Sequence, residues 1–386
     1  MSRPQTVNID GTLDVVIGFA QLPVNLNKTF KVTFDPAESA VVQQTVANPT
    51  ANNFGTFTLK IKPASLNPFE IREIIMDGQG IPNAALPVTV ARDYKAIAPG
   101  PAVREFLLNT ADTVNGAIRL EDPWGLTVDS ASGRFYVTDA RKQRIYGFDP
   151  DLRPFMELAC PKLGDVDAFP RGLAFLPDQQ RLIVVCAGTG KMQVFDASAS
   201  PKYLYPYGTG VGTGPQELKT PRGACLCPGD EFAVVDTDNC RIQIYGVAGE
   251  FKRMFGKAGR EGADLWYPAA VAYRKSPSGE DQLVVTDCDN FRVKIYNLQT
   301  GALADTIEKE GEGWKFNGPS GVAVDPILGN IFITDFREHN IVAFNRDLKF
   351  IAKIGVGKLN GPRGIVVDPK GRLIVADMGS HQVLIF

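Results

Sequence analysis

One hairpin recurs six times in this chain, and that repetition limits the possible folds more than any other feature of the sequence. Two copies are nearly identical, VVDTDNCRIQIY at 234–245 and VTDCDNFRVKIY at 285–296. In all six copies the first strand ends at a comparable position, namely Asp139, Cys186, Asp236, Asp287, Asp335 and Asp377. The spacing of about 42 to 51 residues predicts a repeat architecture with one small sheet per copy.

A second phrase comes before each hairpin. Its six copies are PWGLTV at 123, PRGLAF at 170, PRGACL at 221, PAAVAY at 268, PSGVAV at 319 and PRGIVV at 362. Proline cannot donate a hydrogen bond to a sheet and glycine permits a tight turn, so each phrase predicts the start of a short strand. Because these strands lack polar alternation, we expect them to be innermost. Six four-stranded antiparallel sheets that must pack radially predict a closed six-bladed β-propeller.

Together the two phrases resemble the NHL repeat, over roughly residues 103–386. The resemblance is carried by P-x-G-[IVL]-x-[VF], then a strand ending in Asp, then N-x-R-[IV]-x-[IV]-[YF]. The third and fourth copies match best. The second copy departs from the pattern at Cys186 and Lys191, and the fifth and sixth replace the arginine with Asn340 and Gln382.

The chain ends on the third strand of the sixth sheet, which predicts how the ring closes. REFLLNT at 104–110 reads as an outer strand that comes before the first P-x-G phrase. We predict that this N-terminal outer strand joins the three C-terminal strands, which would remove an open sheet edge.

The residues before the repeat predict a separate β-sandwich. Apolar and polar residues alternate in KTFKVTFD and GTFTLKIK, as in strands with one buried face. The predicted fold is therefore all-β, with an immunoglobulin-like β-sandwich at 1–98, a linker at 99–103 and the six-bladed propeller at 104–386.

The sandwich region resembles the immunoglobulin-like domains named for ASPM, SPD-2 and Hydin. The resemblance lies in KTFKVTFDP at 28–36, GTFTLKI at 55–61 and NPFEIREIIMDGQGIP at 67–82. It implies a ciliary, centrosomal or other cytoskeletal setting. A filamin-like domain, which precedes NHL propellers in some RNA-regulatory proteins, is the competing resemblance.

Charge and hydropathy narrow the classes of partner. The chain has 41 basic and 43 acidic side chains among 386 residues, and a net charge of -2. No bulk excess of positive charge would therefore draw it to nucleic acid or anionic lipid. No stretch has the apolar length of a signal peptide or a membrane span. We predict an intracellular, cytoplasmic protein that does not bind membranes.

The acidic and basic residues of the hairpins are predicted to be structural clamps rather than catalytic groups. Each pair lies across a tight turn, where the arginine fork can bond a carboxylate and nearby carbonyls. The pairs are Asp139 with Arg144, Asp236 with Arg241, and Asp287 with Arg292. The same turns lack the glycine and the bidentate glutamate of an EF-hand loop. GTGVGTG at 208–214 is predicted to be a blade connection, because no helix follows it.

The sequence offers little support for a metal or catalytic centre. Cys225 and Cys227 lack further ligands at matching spacing and are predicted to be small buried residues. Amidating lyases, which resemble this chain in repeat pattern, use several histidines around zinc. Here His339 and His381 occupy the variable position before the arginine of the repeat and are predicted to be surface hairpin residues. We predict no enzymatic activity, no cofactor, no metal and no small-molecule substrate.

Three arginines are the candidate partner-binding residues. Arg171, Arg222 and Arg363 each follow the proline of a P-R-G turn, so a ring of blades would place them on one face near the mouth of the channel. There they could converge on an acidic peptide or a phosphate. We predict a non-catalytic scaffold that binds proteins within a larger assembly. The alternative is an RNA-binding regulator that uses the same propeller face.

Overall fold

The computed structural model describes residues 120–386, apart from 312 and 370, and the backbone of nine strands that come before them. The chain divides into two compact units. One contains Met1–Ala96 and Pro369–Gly371, and the other contains Ile97–Asp368 and Arg372–Phe386. The predicted domain limits at 98 and 104, and the linker between them, stay predictions.

The first unit contains two sheets. Its strands are β1 (Gln5–Asn8), β2 (Leu13–Phe19), β3 (Phe30–Asp35), β4 (Ala40–Pro49), β5 (Gly55–Pro63), β6 (Phe69–Met76), β7 (Gln79–Gly80) and β8 (Leu86–Ala91). One sheet has the order β1-β8-β6-β3 with β7 paired to β6, and the other has the order β2-β5-β4. The immunoglobulin-like packing predicted here depends on side chains outside the described residues and stays a prediction.

The second unit is a six-bladed β-propeller, as the repeat predicts. It begins with β9 (Arg104–Phe106). Blade 1 contains β10 (Pro123–Val128), β11 (Phe135–Asp139), β12 (Arg144–Phe148) and β13 (Pro154–Ala159). Blade 2 contains β14 (Pro170–Leu176), β15 (Arg181–Cys186), β16 (Lys191–Asp196) and β17 (Lys202–Tyr207). Blade 3 contains β18 (Ala224–Cys227), β19 (Glu231–Asp236), β20 (Arg241–Gly246) and β21 (Phe251–Phe255).

The remaining blades repeat this order. Blade 4 contains β22 (Pro268–Lys275), β23 (Asp281–Asp287), β24 (Arg292–Asn297) and β25 (Leu303–Ile307), and is followed by a short ribbon of β26 (Glu310–Gly311) and β27 (Trp314–Lys315). Blade 5 contains β28 (Pro319–Val324), β29 (Ile331–Asp335), β30 (Asn340–Phe344) and β31 (Phe350–Ile354). Blade 6 contains β32 (Pro362–Val367), β33 (Leu373–Asp377) and β34 (Gln382–Ile385), with β9 next to β34. Short 3-10 helices occupy Pro177–Gln179, Cys288–Asn290 and Met378–Ser380.

Apolar side chains from both neighbours fill the gaps between blades. Successive residues of a strand point to opposite faces of its sheet, and β11, β29 and β33 are buried along their whole length because both faces are covered. Tyr136 of blade 1 belongs to the same core cluster as Leu173 of blade 2. Ile374 and Val383 of blade 6 share a cluster with Phe135 of blade 1. The last blade therefore packs directly against the first.

The glycine of the P-x-G phrase allows neighbouring inner strands to approach each other closely. A Cβ on Gly125 would lie 2.2 Å from the carbonyl oxygen of Arg171, and one on Gly172 would lie 2.3 Å from that of Arg222. No side chain fits at such distances. The glycine is therefore required by the contact between blades, and the turn alone does not explain it.

No helix in the described part of the chain has the length and apolar character needed to cross a membrane.

Candidate functional site: the axial arginine cluster

The middle residues of the P-x-G phrases surround one end of the propeller axis, which we call the upper end. In ring order they are Trp124, Arg171, Arg222, Ala269, Ser320 and Arg363. A cavity of about 60 Å³ lies at this end, and Trp124, Arg222, Ser320 and Arg363 are among the residues that line it. The structure thus brings together the three arginines singled out from the sequence. We call Arg171, Arg222 and Arg363 the axial arginine cluster.

The indole of Trp124 lies between two of these arginines. The guanidinium carbon of Arg171 is 3.7 Å from the centre of the ring, and that of Arg363 is 4.6 Å from it. Arg363 also lies 4.0 Å from the ring centre of Phe336. Cations are attracted to the negative face of an aromatic ring, so these contacts fix the positions of the guanidinium groups.

The guanidinium groups of the cluster have unused hydrogen-bond donors. Among the described residues, the buried Nε atoms of Arg171, Arg222 and Arg363 have no hydrogen-bond partner, and neither has Nη1 of Arg171. A buried donor without a partner costs about 1–3 kcal/mol. The described part of the protein supplies no acceptor for these donors.

Burial and repulsion from a neighbouring arginine lower the pKa values of two members of the cluster. Burial, followed by the nearby charge of Arg222, lowers the pKa of Arg171 to about 10, and the same two causes lower the pKa of Arg363 to about 10. Both arginines remain charged at neutral pH. The carboxylate of Asp122 partly offsets these effects, and burial raises the pKa of Asp122 itself. The cluster is therefore a site of concentrated positive charge.

Threonines of the preceding blades hold the backbone of two of the arginines. The hydroxyl of Thr138 donates to the carbonyl of Arg171 at 2.5 Å, and that of Thr334 donates to the carbonyl of Arg363 at 2.6 Å. Each threonine comes directly before the aspartate of its hairpin. This arrangement was not predicted, although the T-D pair that ends strands β11, β23 and β29 is visible in the sequence.

The repeated aspartates are structural, as predicted, and two of the three predicted clamps form. Arg241 Nε lies 2.7 Å from Asp236 Oδ2, and Arg292 Nε lies 3.0 Å from Asp287 Oδ2. Arg241 also donates to the carbonyls of Thr213 and Gly214, at 2.7 and 2.8 Å. The glycine-rich stretch is therefore a blade connection held by a clamp.

The clamp predicted between Asp139 and Arg144 is wrong. Arg144 instead forms an ion pair with Glu157 on the outer strand of its own blade, at 3.1 Å. Asp139 accepts backbone N–H groups from Glu121 and Lys142, at 2.7 and 3.0 Å. Glu157 lies on β13 two residues from Ala159, the residue opposite Arg144, and it competes for the arginine. Position in the repeat therefore does not decide the partner of this arginine.

The two histidines each contact the backbone of the next blade. His339 Nδ1 accepts the N–H of Gly361 at 2.9 Å, and His381 Nδ1 lies 2.5 Å from the carbonyl oxygen of Glu121. Both are hairpin residues, as predicted. Among the described residues, no group of three or more histidine, cysteine or acidic side chains is arranged to hold a metal ion.

Comparison with known proteins shows that the chain carries NHL repeats. The profile of the NHL repeat matches residues 120–148, 218–245 and 359–386, which lie in blades 1, 3 and 6. Protein brain tumor of Drosophila melanogaster is 32% identical over 170 residues, which is 44% of this chain and 12% of that protein. The E3 ubiquitin-protein ligase NHLRC1 of Mus musculus is 22% identical over 272 residues, which is 56% of this chain and 66% of the relative. The chain thus spans about an eighth of the length of brain tumor.

The fold is also found in solved structures. A structural genomics protein from Bacteroides thetaiotaomicron superimposes with a TM-score of 0.55 over 95% of this chain and 99% of that one, at 14% sequence identity. A gluconolactonase from Xanthomonas campestris gives a TM-score of 0.52 over 69% of this chain and 86% of the other, at 17% identity. At such low identity these likenesses concern the fold alone.

Proposed function

We propose that this NHL-repeat propeller is a non-catalytic protein-interaction module, and that its axial arginine cluster binds an acidic segment of a partner protein. The observation that supports the proposal is the set of buried Nε donors without partners on Arg171, Arg222 and Arg363. Hydrogen bonds between guanidinium and carboxylate groups are about twice as strong as neutral ones. A glutamate or aspartate side chain would satisfy the donors and neutralise part of the charge.

The surroundings of the cluster suit a protein partner. Phe169 and Tyr267 come directly before the prolines of two P-x-G phrases and are 44% and 40% exposed. Both have positive φ, at 47° and 51°, so the backbone holds these aromatic residues in a strained conformation. Exposed aromatic residues are enriched at the energetic centres of protein interfaces. A rigid propeller also lowers the ordering cost of association.

RNA binding is the second candidate. An aromatic ring stacked with arginines, as Trp124 is here, also suits a nucleic acid strand, because bases stack on aromatic rings and phosphates pair with guanidinium groups. The near balance of 41 basic and 43 acidic side chains argues against an extended phosphate-binding surface. We therefore place the acidic peptide first.

Binding measurements with two probes test the choice. The full chain is titrated with a fluorescent peptide that contains a run of glutamates, and with a single-stranded RNA of similar charge. We expect the peptide to bind, and Arg363→Met to weaken it by about tenfold or more. Arg153→Met, at an exposed position outside the cluster, serves as the control. Tighter binding of the RNA, with affinity that falls steeply as salt rises, would favour the second candidate.

We also propose that the protein is part of a larger assembly in the cytoplasm, in a cytoskeletal or ciliary setting. This part of the proposal rests on the resemblance of the first hundred residues to the immunoglobulin-like domains named above, and on a propeller surface suited to binding. Purification of the tagged protein from its native source tests this part. Elution as a single species at the mass of the chain, 41.9 kDa, would contradict it.

A further inference from the structure

The opposite end of the propeller axis has a cavity of its own. It has a volume of about 500 Å³, and apolar side chains such as Val128, Phe175, Leu226 and Val324 line most of it. One residue from each inner strand lines both this cavity and the small cavity at the upper end. The six shared residues are Leu126, Leu173, Ala224, Val271, Val322 and Ile365. The two cavities thus meet at a single layer of apolar side chains.

We propose that the axis is a ligand channel for an anionic amphiphile, a carboxylate with an unbranched aliphatic tail. The carboxylate would lie at the axial arginine cluster, and the tail would pass through the shared layer into the lower cavity. This inference rests on the proposed function, because both require the axial arginine cluster to bind an anion. It goes beyond that function in naming a small molecule, although the sequence alone predicts no small-molecule ligand.

The polarity of the axis supports this class of ligand. Positive charge is concentrated at the narrow upper end, where Arg222 and Arg363 line a space of about 60 Å³. That space is small and has room for an oxyanion. The larger space lies below the shared layer and is mainly apolar. A ligand that fills both must therefore have a small charged head and an apolar body.

The length of the channel favours a medium aliphatic chain. Along β10 the path from Trp124 to Val128 covers four residues, which corresponds to about 13 Å at about 3.3 Å per residue. The tail would contact side chains such as Leu126 and Ile365 rather than water. Each methylene transferred from water into this space should raise the affinity about fourfold.

A chain-length series tests the inference on the full chain. Acetate, hexanoate and decanoate, the last below its micelle concentration, are titrated by calorimetry and by tryptophan fluorescence. We expect the affinity to rise from acetate to decanoate by at least 100-fold. Neutral decanol should bind at least tenfold more weakly than decanoate, because it lacks the charge that pairs with Arg363. Arg363→Met should weaken decanoate by at least tenfold.

Two variants locate the tail. Ala224→Phe fills the shared layer and should remove most of the gain in affinity from acetate to decanoate. Leu226→Glu places a negative charge at the rim of the lower cavity and should weaken decanoate more than acetate. Leu226 is 36% exposed, so this second variant is expected to fold even where the first does not.

Three results would overturn the inference. They are equal affinities for acetate and decanoate, decanoate binding that persists in Arg363→Met, and decanoate binding that neither Ala224→Phe nor Leu226→Glu changes. If the glutamate peptide binds and decanoate does not, the channel is refuted while the proposed function stands. If decanoate binds and the peptide does not, the proposed function fails and the channel is supported.

Discussion

The guanidinium carbon of Arg171 lies 3.7 Å from the centre of the Trp124 ring. Among the described residues, no carboxylate forms an ion pair with Arg171. A cation–π contact contributes about 0.5–2 kcal/mol. Burial and the charge of Arg222 act in the opposite direction and lower the pKa of Arg171 to about 10. The fold therefore keeps a charge that costs it stability, which is a common property of binding and catalytic sites.

Replacing Arg171 by methionine should stabilise the protein when no binding anion is present. Methionine keeps the apolar contact with Trp124 and removes a buried charge and two buried donors without partners. We expect the free energy of unfolding in low-salt buffer at pH 7 to rise by about 1–2 kcal/mol. Urea unfolding monitored by circular dichroism measures it.

Sulfate provides the control for this prediction. An anion that binds the folded cluster should stabilise the wild type more than Arg171→Met, because binding to the native state alone shifts the unfolding equilibrium. Arg153→Met, at an exposed position, should respond to sulfate as the wild type does. A loss of stability in Arg171→Met without sulfate would show that the arginine is a structural element of the ring.

The clamp arginines should differ in their contribution to stability even though they share a position in the repeat. Arg241 is buried, pairs with Asp236, and donates to the carbonyls of a blade connection. Arg144 pairs with Glu157, and both side chains are more than 40% exposed. We expect Arg241→Met to lower the free energy of unfolding by about 3–5 kcal/mol, and Arg144→Met by less than about 1 kcal/mol. Denaturant unfolding of both variants measures this difference. Similar losses would mean that the hairpin position, and not the local partners, sets the contribution.

The sequence predicts the blades well because their signals are local. A strand, a turn and a strand within fourteen residues place Asp236 opposite Arg241 regardless of what surrounds them, and the register confirms this pairing. The six copies then leave radial packing as the arrangement that buries both faces of every sheet. The convergence of the three P-R-G arginines follows from the same symmetry.

What the sequence does not predict depends on contacts that lie outside the repeated hairpin. The partner of Arg144 is decided by the register of an outer strand, which puts Arg144 opposite Ala159 and its side chain near Glu157. The role of Trp124 depends on arginines in blades 2 and 6. Trp124 occupies the middle position of its P-x-G phrase, as the three arginines do in theirs. Because the residue here is a tryptophan, the sequence alone does not show that it belongs to the same site.

Alkaline pH should destabilise the propeller through its buried tyrosines. Burial raises the pKa of Tyr136 to about 12, against 10 for an exposed phenol. The native state therefore holds this proton more tightly than the unfolded state does. The resulting contribution of Tyr136 to the free energy of unfolding is complete below pH 10 and is lost as the pH rises toward 12. Two pKa units correspond to roughly 2–3 kcal/mol.

Tyr136→Phe isolates this contribution. Phenylalanine keeps the stacking on Phe175, whose ring centre lies 5.5 Å away. Between pH 10 and 12, we expect the free energy of unfolding to fall by roughly 2–3 kcal/mol less in the variant than in the wild type. Urea unfolding at a series of pH values measures the slope. An identical slope in the two proteins would show that Tyr136 does not contribute to the alkaline loss.

The pairing of the final strand with β9 should protect the end of the chain. The register places Phe106 opposite Val383, Glu105 opposite Leu384 and Arg104 opposite Ile385. A chain that begins at residue 107 would lose this ladder, whereas one that begins at residue 97 would keep it. Blade 6 still packs against blade 1 through Ile374 and Phe135 in both, so both should fold. At about 0.5–1.5 kcal/mol per backbone hydrogen bond, the shorter chain should be less stable by about 2 kcal/mol. Hydrogen exchange should show at least tenfold faster exchange at 383–385 in the shorter chain, and equal protection in the two chains would mean that another segment covers the edge of β34.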